Sequence, residues 1–510
     1  MSVTHTPETP EPGTPAATLD TTAIAATDSD LIGSGQEGGI VDQARAYLSR
    51  LRGGEMGALP AIAGFIVLVV LFSFLSPFFF TERNFANLLT QAASLVMLGM
   101  ALTFVILLGE IDLSAGVTAG VTMAVFVVLS DPGGAHLNWI IAFLIALASG
   151  LAIGTFIGFF RSRIGIPSFV VTLGLFLGLQ GAQLIIIGPG GLYRIQEPAV
   201  LAIQNNNMPV WMGWVMLLII LAISFATSMV DRTRRTRAGV PNRTIALMWV
   251  RLGVIAVLGA VVIFALSQNR GTAFLAVTGV PIVVPITLVI LWIGTFVLDR
   301  TKYGRWLYAI GGNEEAARRA GIKVIGIRWI AFVVCSGLAV ISGLFAASQV
   351  GSVDAAFGRN DVLNGVAAAV VGGVSLFGGR GRLMHAAVGA LVISVITNGL
   401  GLLNLPSGVN LLVTGGVLIL AASVDALSRV RGTKAVEHPT GPFNVFAIVG
   451  FVLSFVTAIG GIVLGAIAVF QIREHGGRGR GLAIWAVAIG IIELLIALVI
   501  AVTAVLRAQG

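Results

Sequence analysis

Long apolar runs alternate with short polar or basic loops along most of this chain. A helical crossing of a bilayer needs ~20 apolar residues, because the hydrocarbon core is ~30 Å thick and a helix rises ~1.5 Å per residue. Runs of that kind recur near residues 58–80, 88–108, 113–130, 137–160, 168–187, 209–230, 244–266, 276–298, 327–348, 362–376, 383–403 and 408–426. The pattern predicts an all-α, polytopic transmembrane helical bundle with about twelve spans in its core. Segment 362–376 (VLNGVAAAVVGGVSL) is short for a span. It reads as a short crossing or as a broken helix buried among its neighbours, since irregular backbone at membrane depth is tolerated where protein covers it.

Past residue 435 the character changes. TKAVEHPTGP, with two prolines, reads as a linker. An apolar run over 443–470, a basic glycine loop (QIREHGGRGRG) and a final apolar run over 482–506 follow, as in a small appended membrane module. One crossing in 443–470 would put Arg473, Arg478 and Arg480 outside, whereas a tight hairpin turning near Gly460-Gly461, the preferred reading, would keep them on the inner side. The expected organisation is an acidic disordered tail over 1–44, a membrane domain over 45–430, a linker over 431–442 and the small module over 443–510.

Composition agrees with a bilayer as solvent. The 510 residues are 56% hydrophobic and 11% charged, with a mean hydropathy of +0.97. A soluble domain carries about 25% charged residues and has too little interior to hide this much apolar surface. The 65 glycines point to close helix packing through small residues. The net charge of +8 is not a nucleic-acid signal, because the basic residues fall in short loops and report topology. Arg161 and Arg163, the cluster Arg232, Arg234, Arg235, Arg237 and Arg243, and the cluster Arg300, Lys302, Arg305, Arg318, Arg319, Lys323 and Arg328 all fall inside when the spans are counted from a cytoplasmic N-terminus. If 362–376 crosses, Arg380, Arg382, Arg429, Arg431 and Lys434 do too. The tail over 1–44 lacks Lys and Arg and carries Glu8, Glu11, Asp20, Asp28, Asp30, Glu37 and Asp42, so it offers no basic region for a cleavable signal peptide. The single cysteine, Cys335, excludes an internal disulfide and sits in an apolar run that suits a buried structural thiol.

Two short motifs stand out. Gly109-Glu110-Ile111-Asp112-Leu113-Ser114-Ala115-Gly116 places two carboxylates between apolar runs, where ionisable groups are costly and often functional. Asp112 or Ser114 can cap the next helix, and a gating role is the other reading; Glu110 has no capping account. The second motif runs from Tyr308 to Ile322 (YAIGGNEEAARRAGI) in the loop 299–328. It predicts a short helix with Asn313 as its cap, Glu314 and Glu315 in the first turn, Ala316 and Ala317 following, Arg318 and Arg319 in the last turn, Ala320 behind them and Gly321 as its end. Glu314–Arg318 and Glu315–Arg319 are i,i+4 pairs. A helix this short does not persist alone in water, so it docks against something or is a solvated loop helix.

No GxxxxGK[ST] is present, and Lys302, Lys323 and Lys434 are the only lysines, so no phosphate-cradling loop of that type exists. CxxC, HExxH and GxSxG are absent as well; His385 stands alone beside Met384, and no metal site can be assembled. Carboxylates and arginines are scarce within the spans, which disfavours an ion-coupled carrier.

GEIDLSAG resembles the GGIDLSVG-type signature of sugar permeases in the ribose/xylose branch of the ATP-binding-cassette importers. YAIGGNEEAARRAGI resembles that branch's cytoplasmic loop, and Gly365 to Gly381, with VVGGVSLFGGRG, resembles its later VIGGTSL segment. The similarity runs from about residue 58 to 430 with the motifs in family order. Glu110 departs from the commoner Gly and matches xylose-type permeases. The Arg-rich 231–243 loop and the apolar pair after it also resemble the longer xylose-type members. The C-terminal part resembles a small two-run membrane domain of unknown function.

The resemblance implies a multi-pass, type II importer-like permease of the plasma membrane that translocates a monosaccharide, with xylose the expected sugar. It implies a second permease copy, two ATPase subunits that hold ATP and Mg, and an extracytoplasmic sugar-binding protein, with no cofactor, metal or catalytic residue in this chain. The helix from Asn313 to Gly321 would be the coupling helix seated on the ATPase, and Gly109, Glu110, Asp112, Ser114 and Gly116 a membrane signature with a gating role. Sugar-contacting residues are not defined by these motifs. An ion-coupled sugar carrier, for which Glu110 is the candidate relay, and a membrane scaffold are the alternatives.

Overall fold

A computed structural model describes residues 59–239, 245–272, 274, 276–419, 444–454, 458–475, 479, 481–487 and 489–490. The expected tail over 1–44, the linker over 431–442 and the basic clusters at 243 and 429–434 lie outside the described residues. Contacts divide the chain into two units; the described part of the smaller is drawn from Ile219–Val257, and the larger holds the remainder. Within the smaller unit, the rings of Phe225 and Trp249 meet at 6.2 Å.

Each of the twelve expected segments contains a helix within its described residues, with shifted ends. They are α1 (Leu59–Leu75), α2 (Glu82–Ile106), α3 (Ala115–Ser130), α4 (Trp139–Phe159, continued by one π-turn, Phe160–Ile164) and α5 (Ser168–Ile187). After a short strand β1 (Leu192–Arg194) and the loop helix α6 (Pro198–Asn205) come α7 (Val210–Arg237), α8 (Ile245–Ser267) and α9 (Val283–Arg300). Two short helices, α10 (Lys302–Gly312) and α11 (Glu314–Arg319), precede α12 (Val324–Val350) and strand β2 (Ser352–Asp354). The membrane core closes with α13 (Asp361–Val371), α14 (Leu383–Leu402) and α15 (Ser407–Ile419).

Among the described residues, eight of these helices (α2, α4, α5, α7, α8, α9, α12 and α14) are long and apolar enough to cross a membrane by length and composition. The protein is a polytopic helical membrane protein. Segment 362–376 resolves as a broken helix: α13 has 11 residues and packs against α2 and α14. Two other expectations are corrected. The span expected at 209–230 runs on to Arg237, so Arg232, Arg234, Arg235 and Arg237 are helical, and the last three complement the helix dipole. The turn expected at Gly460-Gly461 does not fall there. Helix α16 (Val445–Leu453) packs on α17 (Ala458–His475), and both glycines lie inside α17. Adjacent glycines in a long apolar run do not end a helix that lipid or a neighbour supports.

Helices α2 and α12 are the spine. In their most apolar stretches 72% and 67% of positions are buried, against 11% in α7 and α8. Helix α4 reaches α12 through residues spaced by four: Ala142, Ala146, Gly150, Gly154 and Gly158 are buried. A Cβ at Gly154 would sit 2.6 Å from the Phe332 carbonyl oxygen, so only glycine permits this approach. A reciprocal amide pair clamps α2 to α14: Asn84 Nδ2 donates to Asn398 Oδ1 at 2.9 Å and Asn398 Nδ2 donates back at 3.0 Å. Buried amides paired both ways cost little and fix one register.

The loops gather into two sets. At one end, β1 pairs antiparallel with β2, and Ile195 N donates to Gly351 O at 2.9 Å. Residues 206–208 bond 280–282 there as well. At the other end, residues 107–114, 161–163, 308–328 and 372–382 meet. Apart from residues at the ends of expected spans, such as 280–282 and 372–376, each set contains only loops that span parity counts to one side of the bilayer.

Candidate functional site

The three sequence motifs converge at that second end, and they do so through backbone. Helix α2 stops where Gly109 takes a left-handed conformation (φ 75°) and Glu110 N donates to Val105 O at 3.2 Å, a helix-ending bond that frees the chain to turn. The Leu107 carbonyl accepts from Gly379 N at 2.8 Å. A Cβ at Gly311 would lie 1.8 Å from that same carbonyl oxygen, and one at Gly378 would lie 2.8 Å from Gly109 N and 2.9 Å from Gly311 O. Gly379 has φ 72° and stacks on Gly312, whose Cα would be 2.9 Å from an added Cβ. Tyr308 Oη donates to Gly381 O at 2.7 Å. Glycines in three distant segments therefore serve one knot, where no side chain fits between the strands of backbone.

Around the knot runs a chain of charge. Glu110, nearly buried, takes Arg161 through Nη2 at 2.7 Å and Nε at 2.8 Å, and Arg328 Nε approaches the same oxygen to 2.9 Å, off the N–H axis. The Arg328 Nη2 donates to Glu314 Oε2 at 2.5 Å, and Arg318 Nη2 donates to Glu314 Oε1 at 2.8 Å. Exposure of the side chains rises along the series, from 7% at Glu110 and 5% at Arg328 to 38% at Glu314 and 63% at Arg318. Leaving a buried carboxylate such as Glu110 without its partners would cost about 3–5 kcal/mol. Burial pushes the Glu314 carboxyl up, but the hydrogen bonds and charges of Arg328 and Arg318 outweigh it and hold it below the usual range.

Helix α11 forms where the local signals place it. Asn313 Oδ1 accepts from Ala316 N at 2.9 Å, the Glu315–Arg319 pair closes at 3.1 Å, and Gly321 follows with φ 81°. Ala317 is buried and Ala320 ends the helix, while Glu315 and Arg319 face outward. Of the signature residues, Asp112 is fully buried. Its Oδ1 accepts from Ser114 N at 2.9 Å and from Ser114 Oγ at 2.6 Å, and Cys335 Sγ donates to Oδ2 at 3.5 Å. Ser114 precedes α3 but makes no side-chain cap bond: its backbone is helical (φ −86°, ψ −11°) rather than extended, and its hydroxyl donates to Asp112. Gly116 backs onto α13, where a Cβ would be 2.5 Å from Gly358 O. Arg161 and Arg328 carry no motif signal; in the sequence they read only as topology charges. Among the described residues no three His, Cys, Asp or Glu side chains are placed to hold a metal.

In this site buried charge ties a loop helix to the core of a polytopic helical membrane protein. The family described as branched-chain amino acid transport system / permease component matches residues 84–248 and 199–422, and the chain belongs to that family. The xylose transport system permease protein XylH of Escherichia coli is 31% identical over 375 residues, 72% of this chain and 92% of that protein. XylH of Haemophilus influenzae is 32% identical over 357 residues, 69% and 91%. The ribose import permease protein RbsC of Escherichia coli is 29% identical over 365 residues, 72% and 92%. No solved structure matches the chain.

Proposed function

We propose that this chain is the permease subunit of an ATP-binding-cassette importer for a monosaccharide, with xylose its sugar. Its membrane domain spans 45–430, with a cytoplasmic tail over 1–44, a linker over 431–442 and a small membrane module over 443–510. The permease lies in the plasma membrane as a pair, takes sugar from an extracytoplasmic binding protein and couples to two ATPase subunits that hold ATP and Mg. Helix α11 with its flanks, Asn313 to Gly321, is the coupling helix.

The observation that carries this reading is the placement of α11. A six-residue helix too short to hold itself is capped by Asn313, ion-paired along its length and moored through Glu314 to the membrane core, with Glu315 and Arg319 turned outward for a partner. The likeness to XylH supports the sugar class, and the Glu110 shared with xylose-type permeases supports xylose. The segment from Gly109 to Gly116 is then the gate, since it covers the unwound break between α2 and α3 and the first turn of α3, whose Gly116 touches the start of α13. A gradient-driven carrier would need a carboxylate open to the path, whereas Glu110 is closed off by two guanidinium groups.

The test is uptake of labelled xylose, ribose, arabinose, galactose and glucose in cells with and without the gene, with and without a protonophore that spares ATP. Loss of xylose uptake alone, insensitive to the protonophore, is expected. Protonophore-sensitive uptake would overturn the importer reading, and loss of another sugar would overturn xylose.

A further inference from the structure

We infer that Arg328 is the positioning residue that passes movement of the coupling helix into the gate segment, through the chain Glu314–Arg328–Glu110–Arg161; this rests on reading α11 as the coupling helix. Four observations carry it.

The Arg328 side chain is 5% exposed, so it sits behind α11 and cannot itself be a surface contact for a partner. It faces two different segments: Nη2 donates to Glu314 of α11, and Nε lies in ion-pair contact, 2.9 Å from Glu110 of the gate segment. A guanidinium is planar and stiff, so a shift at one carboxylate is imposed on the other, which a lysine's single ammonium cannot do. Glu110 is also shared, because Arg161 holds it from the end of α4 at 2.7 Å. Sharing at both links makes the arrangement exchangeable. If α11 is drawn outward, Arg328 follows Glu314 and its hold on Glu110 loosens, so Glu110 shifts toward Arg161, which keeps the buried carboxylate paired during the change.

The far end of the chain is placed to use that motion. Glu110 stands next to the left-handed Gly109 and two residues ahead of Asp112, whose bonds to Ser114 set the start of α3. Gly116, one residue into α3, abuts Gly358 O and Val362 N at the start of α13. Displacing Glu110 therefore displaces the ends of two helices that begin inside the protein. Arg328 is outside all three motifs, and nothing about its position in the sequence assigns it this role.

The experiment uses the full-length tagged chain co-produced with its ATPase and binding protein. It compares wild type with Arg328→Gln, Arg328→Lys, Glu110→Gln and the double Arg328→Gln/Glu110→Gln. Three quantities are read: ATPase retained on the purified permease, ATP hydrolysed in the presence of D-xylose, and labelled D-xylose moved per ATP hydrolysed. Arg328→Gln is expected to keep its ATPase but to lose about tenfold in xylose moved per ATP. Arg328→Lys is expected to recover only part of that, and Glu110→Gln is expected to add less than about twofold in the Arg328→Gln background, because both changes cut one path.

An unchanged ratio of xylose to ATP in Arg328→Gln would overturn the inference. So would loss of the ATPase from that variant, which would make Arg328 part of docking, and so would effects of the two changes that multiply. If Arg328→Gln does not accumulate in the membrane, the ratio in Arg328→Lys decides by the same criterion. Failure of the coupling reading shows separately, as normal ATPase retention in a chain carrying Glu314→Arg and Glu315→Arg.

Discussion

The two ends of the membrane core are built from different materials. At one end β1 and β2 pair, Gln183 Nε2 donates to the carbonyls of Asp354 and Phe357 at 3.0 and 3.1 Å, and Ser348 Oγ donates to Val200 O at 2.6 Å. Those are neutral bonds that close loops over helix ends. At the other end glycine backbones touch without side chains between them, and Glu110, Arg328 and Glu314 carry charge from the interior to the surface. Neutral bonds hold a shape, whereas shared ion pairs hold a shape and permit exchange of partners. On the proposed reading, the end with shared ion pairs transmits force, and the other, where Arg270 also donates to the Gly279 carbonyl at 2.8 Å, closes the loops.

The sharpest break in that comparison comes from two adjacent glycines. Gly311→Ala drives a Cβ to 1.8 Å from the Leu107 carbonyl and is expected to destabilise by about 3 kcal/mol or more, since backbone cannot move aside as a side chain can. Gly312→Ala meets nothing within 4 Å and is expected to stay within about 1 kcal/mol of wild type, on the stabilising side. Melting of the two variants in detergent checks this. Equal melting temperatures would remove the knot from the account.

Gln183→Leu is the matching probe of the neutral end. It removes a donor from two carbonyls, of which Asp354 O keeps the Phe357 N–H, and is expected to cost about 1–3 kcal/mol in melting experiments, with ATPase retention unchanged. Loss of the ATPase in this variant would dissolve the division of labour between the two ends.

The smallest effect is in pH. The Glu314 carboxyl is held below its usual range by Arg328 and Arg318, so its contribution is present above the ordinary glutamate value of about 4.3 and is lost as pH falls through the lowered one. Wild type is expected to melt above Glu314→Gln at pH 7, and the gap is expected to close toward pH 3. The group is partly exposed, so the gap is small. A gap that widens on acidification would contradict the pairing.

Legibility in the sequence followed range. Asn313 as a cap, the two i,i+4 pairs and Gly321 as an end were all readable, because each is a contact within four residues or a single backbone preference. The twelve segments were readable from apolar length alone. The convergence of Gly109, Gly311 and Gly378 was not, because close approach between distant segments leaves no periodic trace. Arg328 was counted as a topology charge, yet it stands in the first turns of α12, buried between two carboxylates. Position in a loop-like basic cluster hid its partners. The turn placed at Gly460-Gly461 failed for a related reason: paired glycines in an apolar run serve packing as readily as turning.

The central claim is that Asn313 to Gly321 couples this permease to an ATPase. The most direct measurement is ATPase co-purification with the full-length chain carrying Glu314→Arg and Glu315→Arg, at membrane levels equal to wild type. The double reversal puts positive charge at the positive end of the helix and beside Arg318 and Arg328. Loss of the ATPase and of sugar uptake together is the predicted result. Normal amounts of bound ATPase with normal uptake would contradict the account.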